Sequence, residues 1–380
     1  ATSRGCAKRP SLPAVVFPLP RVVAGRGLFY VKYLFSVFMR KFRLPPSRGP
    51  LPALLPLLLL ALLAVVCLKQ GSVEARWSDL AAALCGDDGT PAAYVVRHLR
   101  LPQLLTAVVA GGALSAAGLA MQTVFANPLA DPSLLGVSAG AALGAAVALL
   151  LFGGVFAAGA LSLSGYWLVV AAAGAGAVAV TALLVALSAA LRGTLQLLVA
   201  GVMVSFAVSA AVSVLSFYAS AEGVRNFVAW GLGDFSGVSL ERFPLFALTA
   251  GAALLLLLLQ AKPLNALLLG ADYARNLGVN VRRCRTLALL LAALLCAAVT
   301  ALCGPVSFVG LAAPHVARLA HRTADHRRLL PLAVLWGAVM AVTALLLTRL
   351  PGDRGVLPLS AVTPLMGVPV VIMLLCRQRK

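Results

Sequence analysis

His315, His321, Asp325 and His326 lie near one another in the sequence, and imidazole and carboxylate are zinc-type ligands. Their spacing is loose. Arg318, Arg322, Arg327 and Arg328 stand among them, so a bound cation would meet four positive charges. Packing and lipid-headgroup contact suit this mixture better than a metal. Asp87 and Asp88 form the only adjacent acidic pair, in a segment that reads as a solvated turn. The seven cysteines contain no C-x-x-C pair and read as small buried hydrophobes. No lysine follows a glycine, which excludes the P-loop signature. If ATP drives this protein, a partner binds it. No catalytic constellation supports a membrane enzyme, and nothing points to nucleic acid.

With so little chemistry in its side chains, the chain must act through the elements that hold them. Of 380 residues 61% are hydrophobic and 11% charged, where soluble domains carry about one-quarter charged residues. That is an integral membrane protein. The run AALLLLLL at 252–259 does not alternate, so the spans are helices and not barrel strands. The fold class expected is an all-α polytopic bundle of about ten transmembrane helices. They fall at 51–68, 102–125, 134–153, 166–191, 195–218, 243–260, 286–303, 306–321, 329–349 and 359–376. Residues 1–50 carry ten basic residues and no acid. They read as a poorly ordered cytoplasmic tail, either a targeting peptide or a stretch ahead of the true start, before a transmembrane domain at 51–380.

With the N-terminus inside, the inner segments beyond that tail hold 13 Lys/Arg and the outer ones 8. This is the sense of the positive-inside rule, and it puts both termini in the cytoplasm. The eleven acids run the other way, eight outside and three inside. No ionisable group is expected at mid-depth. Asp131 falls at an inner corner and Arg349 at an outer end, which counts against an ion-coupled secondary carrier.

Two stretches organise the rest. In QTVFANPLADPSLLGVSAG (122–140), Pro128 and Pro132 stop one helix. Asp131 or Ser133 then caps another that starts at Leu134 and Leu135. A weak echo in LLCAAVTALCGPVSFVGLAAP, again a small-residue helix leading to a proline corner, suggests two halves of opposite orientation. At 261–285, Asn265 caps a short helix that Gly270 ends, and Asp272–Leu277 forms a second stopped by Gly278. Two short helices joined by glycine make a compact knob on the inner side. Outside, WSDLAAAL reads as a surface helix, and 219–242 places Trp230 and Phe235 among glycines.

These stretches resemble the iron-complex (FecCD-type) ABC transporter permeases, the family that includes the cobalamin permease. The resemblance covers about 51–376. It rests on RLPQLL (100–105), GLAMQTVFANPLADPSLLGVSAGAALG (118–144), LLLGADYARNLGVNVRRCR (267–285), GPVSFVGLAAPHVARL (304–319), DHRRLLP (325–331) and LPLSAVTPLMGVP (357–369). It implies a type II ABC importer permease in the bacterial inner membrane, working as a homodimer or with a paralogous permease. Two ATP-binding subunits would carry ATP and Mg, this chain binding no cofactor or metal, and an extracytoplasmic substrate-binding protein would deliver the cargo. By the same resemblance Asn265, Leu268, Gly270, Asp272, Ala274, Arg275, Leu277 and Gly278 form the ATPase-coupling knob, with short coupling helices on the cytoplasmic side. Arg100 and Arg349 dock glutamates of the binding protein. Asn127, Pro128, Asp131, Pro132, Gly136, Gly304, Pro305, Gly310, Pro314 and His315 carry the structural motifs. The chain departs from the family at Gln103, where relatives often have arginine, and at Ala271, where an acid is usual. The cargo expected is a ferric siderophore, haem or cobalamin, with another metal or metal chelate as the alternative.

Overall fold

Small residues fill the helix around which the others gather. Helix α4 (Leu101–Val124) is buried continuously from Ala110 to Val124. Its glycines let neighbours approach to backbone contact. A Cβ at Gly111 would overlap the carbonyl oxygen of Gly337, and one at Gly118 that of Gly310. The computed structural model describes residues 51–378 apart from 72, 74, 87, 88, 134, 135, 154, 159, 160, 192, 193 and 351–354. The basic tail, the Asp87–Asp88 turn and the helix start expected at Leu134–Leu135 lie outside the described residues.

In chain order the helices are α1 (Leu51–Lys69), α2 (Trp77–Cys85), α3 (Pro91–Val95), α4, α5 (Val137–Ala146), α6 (Tyr166–Ala190), α7 (Thr194–Tyr218), α8 (Ala221–Gly231), α9 (Phe243–Leu259), α10 (Ala261–Leu268), α11 (Ala271–Asn276), α12 (Val281–Cys303), α13 (Val309–His321), α14 (His326–Thr348) and α15 (Leu359–Gln378). A π-helical turn, Val96–Arg100, joins α3 to α4, and another, Val147–Leu151, prolongs α5. A hairpin of two four-residue strands, β1 (Val155–Ala158) and β2 (Leu161–Ser164), precedes α6. The bundle packs α4 against α14, α12, α13 and α9, while α6 and α12 pack together and α5 lies on α6. Along helix α7, Leu195, Phe206, Phe217 and Tyr218 stand exposed.

Each of the ten expected spans holds a helix, but they are not equally long. Among the described residues, five are long and apolar enough to cross a membrane, and a sixth is if α9 and α10, bent by 52°, count together. Helix α13, with 13 residues, covers only about 20 Å at 1.5 Å per residue. The reason is local. Gly304 leaves α12 at φ 72°, and residues 304–308 run without helix before α13 starts at Val309. The side that the charge count assigns to the cytoplasm, bearing α10 and α11, is called inner below.

Candidate functional site

The knob follows from its sequence with one correction. Helix α10 begins after Gln260, so Asn265 lies within it and caps nothing. Leu264 and Leu267 face inward while Leu268 and Leu269 are exposed. Gly270 sits at φ 105°, ψ 156°, backbone space that L side chains avoid, and it turns the chain into α11. Ala274 is fully buried and seats α11. Gly278, at φ 80°, closes that helix with its N–H on the Arg275 carbonyl at 2.9 Å. Asp272 and Arg275 form an exposed ion pair at 2.6 Å, a contact of little energetic weight. Leu268, Leu269, Tyr273 and Leu277 make an apolar surface on the outside of the knob.

Asn265 turns the other way. Its Nδ2 donates to Asp325 Oδ1 at 2.5 Å, and its Oδ1 accepts from the His326 backbone N–H at 2.8 Å and from His326 Nδ1 at 2.9 Å. The far nitrogen of His326, Nε2, lies 2.7 Å from Thr123 Oγ1 on α4. Asp325 also caps α14, accepting from the Arg327 N–H at 3.0 Å. The Asn265 amide holds its carboxyl below the usual range, aided by the Arg327 amide and the nearby arginine charges.

At the outer end the two arginines expected to dock a partner are engaged within the chain. Arg100 is 4% exposed. Its Nη1 donates to the carbonyls of Leu68 at 2.8 Å and Lys69 at 3.0 Å, and its Nη2 to that of Val73. Arg349 Nη1 donates to the carbonyls of Cys67 at 2.9 Å and Gln70 at 3.2 Å, and Nη2 to Gln103 Oε1. Together they satisfy the last carbonyls of α1 and complement the negative end of its dipole. Arg349 keeps partial exposure; Arg100 does not.

The corner at 127–133 packs against the first turn of α13. Asn127 Oδ1 accepts from the Leu129 N–H at 2.9 Å, and Asp131 Oδ1 from the Ser133 N–H at 2.9 Å, two side chains folding their own turns. Asp131 does not cap α5, which starts after Gly136 at φ 89°. Its carboxylate lies instead beside Gly310 and the Leu311 amide, at the first turn of α13, whose own N-cap Phe308 offers no side-chain acceptor. Gly310 meets α4 near Gly118. Gly118 precedes the end of α4 by six residues, so Asp131 is folded about 9 Å in from that end. That is short of the middle of the 24-residue helix, so Asp131 stays nearer the inner end.

His315 Nε2 donates to the Pro128 carbonyl at 2.7 Å. Arg318 Nη1 donates to Gln122 Oε1 at 2.8 Å and lies 3.3 Å from His315 Nδ1. Pro132 and Pro314 are buried in the same corner. Gly304 and Pro305 belong elsewhere, at the outer end: a Cβ on Gly304 would lie 2.6 Å from the Trp230 carbonyl, and the Pro305 carbonyl lies against Gly233. His321 accepts from Trp336 Nε1 at 3.0 Å. The histidines that seemed to cluster in sequence thus serve separate partners.

Gln122 and Thr123 were not singled out by the sequence. The available signal was their polarity beside runs of Leu and Ala, since a polar side chain in a membrane helix needs a partner.

Residues 58–377 match the FecCD transport family. The chain is similar to the vitamin B12 import system permease protein BtuC of Vibrio cholerae, 39% identical over 285 residues, covering 74% of this chain and 83% of that one. It is also similar to the hemin transport system permease protein HmuU of Yersinia pestis, 35% identical over 325 residues, covering 85% and 95%. A solved structure described as an inward-facing conformation of a metal-chelate type ABC transporter matches with a TM-score of 0.74 and 28% identity, covering 85% of this chain and 97% of that one.

Proposed function

The chain belongs to the FecCD transport family, and from that we propose that it is the transmembrane permease subunit of an ATP-binding-cassette importer for metal chelates. An importer permease of this kind works with ATP-binding subunits and a substrate-binding protein, in the bacterial inner membrane. The cargo is an iron complex (ferric siderophore or haem) or cobalamin. These share one chemistry, a metal held inside a bulky organic ligand, and the relatives named for vitamin B12 and hemin support that class.

The observation that carries the reading is the knob. Its apolar outer surface of Leu268, Leu269, Tyr273 and Leu277 is the kind of short-helix projection that fits a groove in a soluble subunit. Asn265 on its inner side ties it to the bundle. Closure of two ATP-loaded partners would draw two knobs together and rock the bundles, alternating access. ATP and Mg sit on the partner, and this chain binds neither. Two copies of the chain line the path between them, and both termini face the cytoplasm. The exposed apolar length of α7 is surface for lipid or for the second copy. On the outer face Arg349, partly exposed, is the remaining candidate to meet an acidic residue of the binding protein, whereas buried Arg100 acts on α1.

The test is the ligand that co-purifies with the partner binding protein. A ferric siderophore, haem or corrinoid is expected; a free divalent ion or a metal-free solute would contradict the cargo class.

A further inference from the structure

A polar path runs inward from the knob. Asn265 is held at both ends of its amide: Nδ2 gives to Asp325 at 2.5 Å, and Oδ1 takes from two nitrogens of His326 at 2.8 and 2.9 Å. The His326 ring, 1% exposed, spans from there to Thr123 Oγ1 at 2.7 Å, which is 2.9 Å from the Leu119 carbonyl of its own helix. Three side chains therefore connect the knob, the first turn of α14 and the last turn of α4. Both ends of that path carry directional bonds, and Thr123 is buried. Other contacts between α10 and the bundle, such as those of Leu264 and Leu267, are apolar and can slide without changing partners.

We propose that Asn265, His326 and Thr123 form a hydrogen-bonded joint that transmits displacement of the knob to α4 and α14, making all three positioning residues for transport. This rests on the reading of the knob as the ATPase dock. Apolar packing alone lets α10 slip across the helix ends, whereas breaking this joint leaves buried donors or acceptors unpaired. The displaced knob therefore draws His326, and with it the start of α14, in the same direction. Through Thr123 the pull reaches α4, whose glycine contacts with α13 and α14 leave no slack: a Cβ at Gly111 or Gly118 would overlap backbone oxygen. The joint is the stiff link in an otherwise greasy contact.

Thr123→Val tests this, because it removes the hydroxyl, keeps the shape and lies away from the docking surface. The complete complex in proteoliposomes gives three readouts: ATPase subunit retained on purification, ATP hydrolysed, and cargo taken up per ATP. Retention and hydrolysis should match the unsubstituted complex, uptake per ATP should fall about tenfold, the rate equivalent of one lost buried hydrogen bond, and Thr123→Ser should restore it. Uptake per ATP unchanged in Thr123→Val overturns the joint, as does a loss of uptake that only accompanies loss of the ATPase subunit or that Thr123→Ser fails to rescue. If the unsubstituted chain itself retains no ATPase subunit, the reading of the knob falls instead, and with it the joint.

Discussion

Arg349 donates to the side-chain oxygen of Gln103 on α4 while its other nitrogen holds the Cys67 carbonyl at the end of α1. An arginine at position 103 would set two guanidinium groups against each other there; glutamine turns the meeting into a bond. With Arg100 on the next carbonyls, α1 is fastened to the bundle by two buried or half-buried cations. Charge on the outer face is thus divided between holding α1 and meeting a partner.

Arg100→Met keeps the aliphatic stem and removes the cap. The α1 carbonyls lose their donors, and stability should fall by about 1–3 kcal/mol. Thermal unfolding of the purified subunit checks this. Arg349→Glu should in addition weaken association with the binding protein, measured as complex retained at fixed concentrations; unchanged association would leave Arg349 with its structural role only.

Asp131→Ala strips the acceptor at the first turn of α13 and leaves buried N–H groups without a partner. An N-terminal cap is worth about 1–2 kcal/mol, so the melting temperature should drop, and Asp131→Asn should recover most of the loss because the amide oxygen still accepts. Equal losses for Ala and Asn would show that the charge, and not the acceptor, does the work.

Gly270→Pro forces φ from +105° to about −65°. The joint between α10 and α11 cannot keep its direction, and α11 swings away from the position that Ala274 seats. ATP hydrolysis by the partner should continue while uptake stops. Normal uptake would mean that the orientation of α11 is irrelevant to transport.

The Asp325 carboxyl is held below its usual range, chiefly by the Asn265 amide. Its contribution to stability is therefore present above the ordinary carboxylate pKa of about 3.9 and is lost only as pH falls through the lower value of the folded protein. The melting difference between the natural chain and Asp325→Ala should be constant from neutrality to about pH 5 and shrink below about pH 4. A difference already shrinking near neutral pH would contradict that environment.

Local pattern carried much of this. The apolar runs placed ten helices, the prolines at 128 and 132 marked a real corner, and Gly270 and Gly278 marked real turns. What the sequence hid depends on pairs far apart in the chain. Asn265 reads locally as a cap but bonds Asp325 sixty residues on. Arg349 reads as free outer charge but meets Cys67 282 residues away. Asp131 reads as a cap for its own next helix, yet its carboxylate lies beside Gly310 at the first turn of α13, 179 residues on. Propensity and periodicity report a residue's neighbours along the chain, and these roles are set by neighbours across the fold.

The central claim is that this subunit moves its cargo only when a separate ATPase acts on the knob. Uptake of a ferric siderophore, haem or cobalamin against its gradient, measured in proteoliposomes with binding protein present, tests it most directly. With ATPase subunits and ATP inside, accumulation is expected; without the ATPase, none above leak is expected. Uphill accumulation by the permease alone, driven by a proton or sodium gradient, would contradict the account.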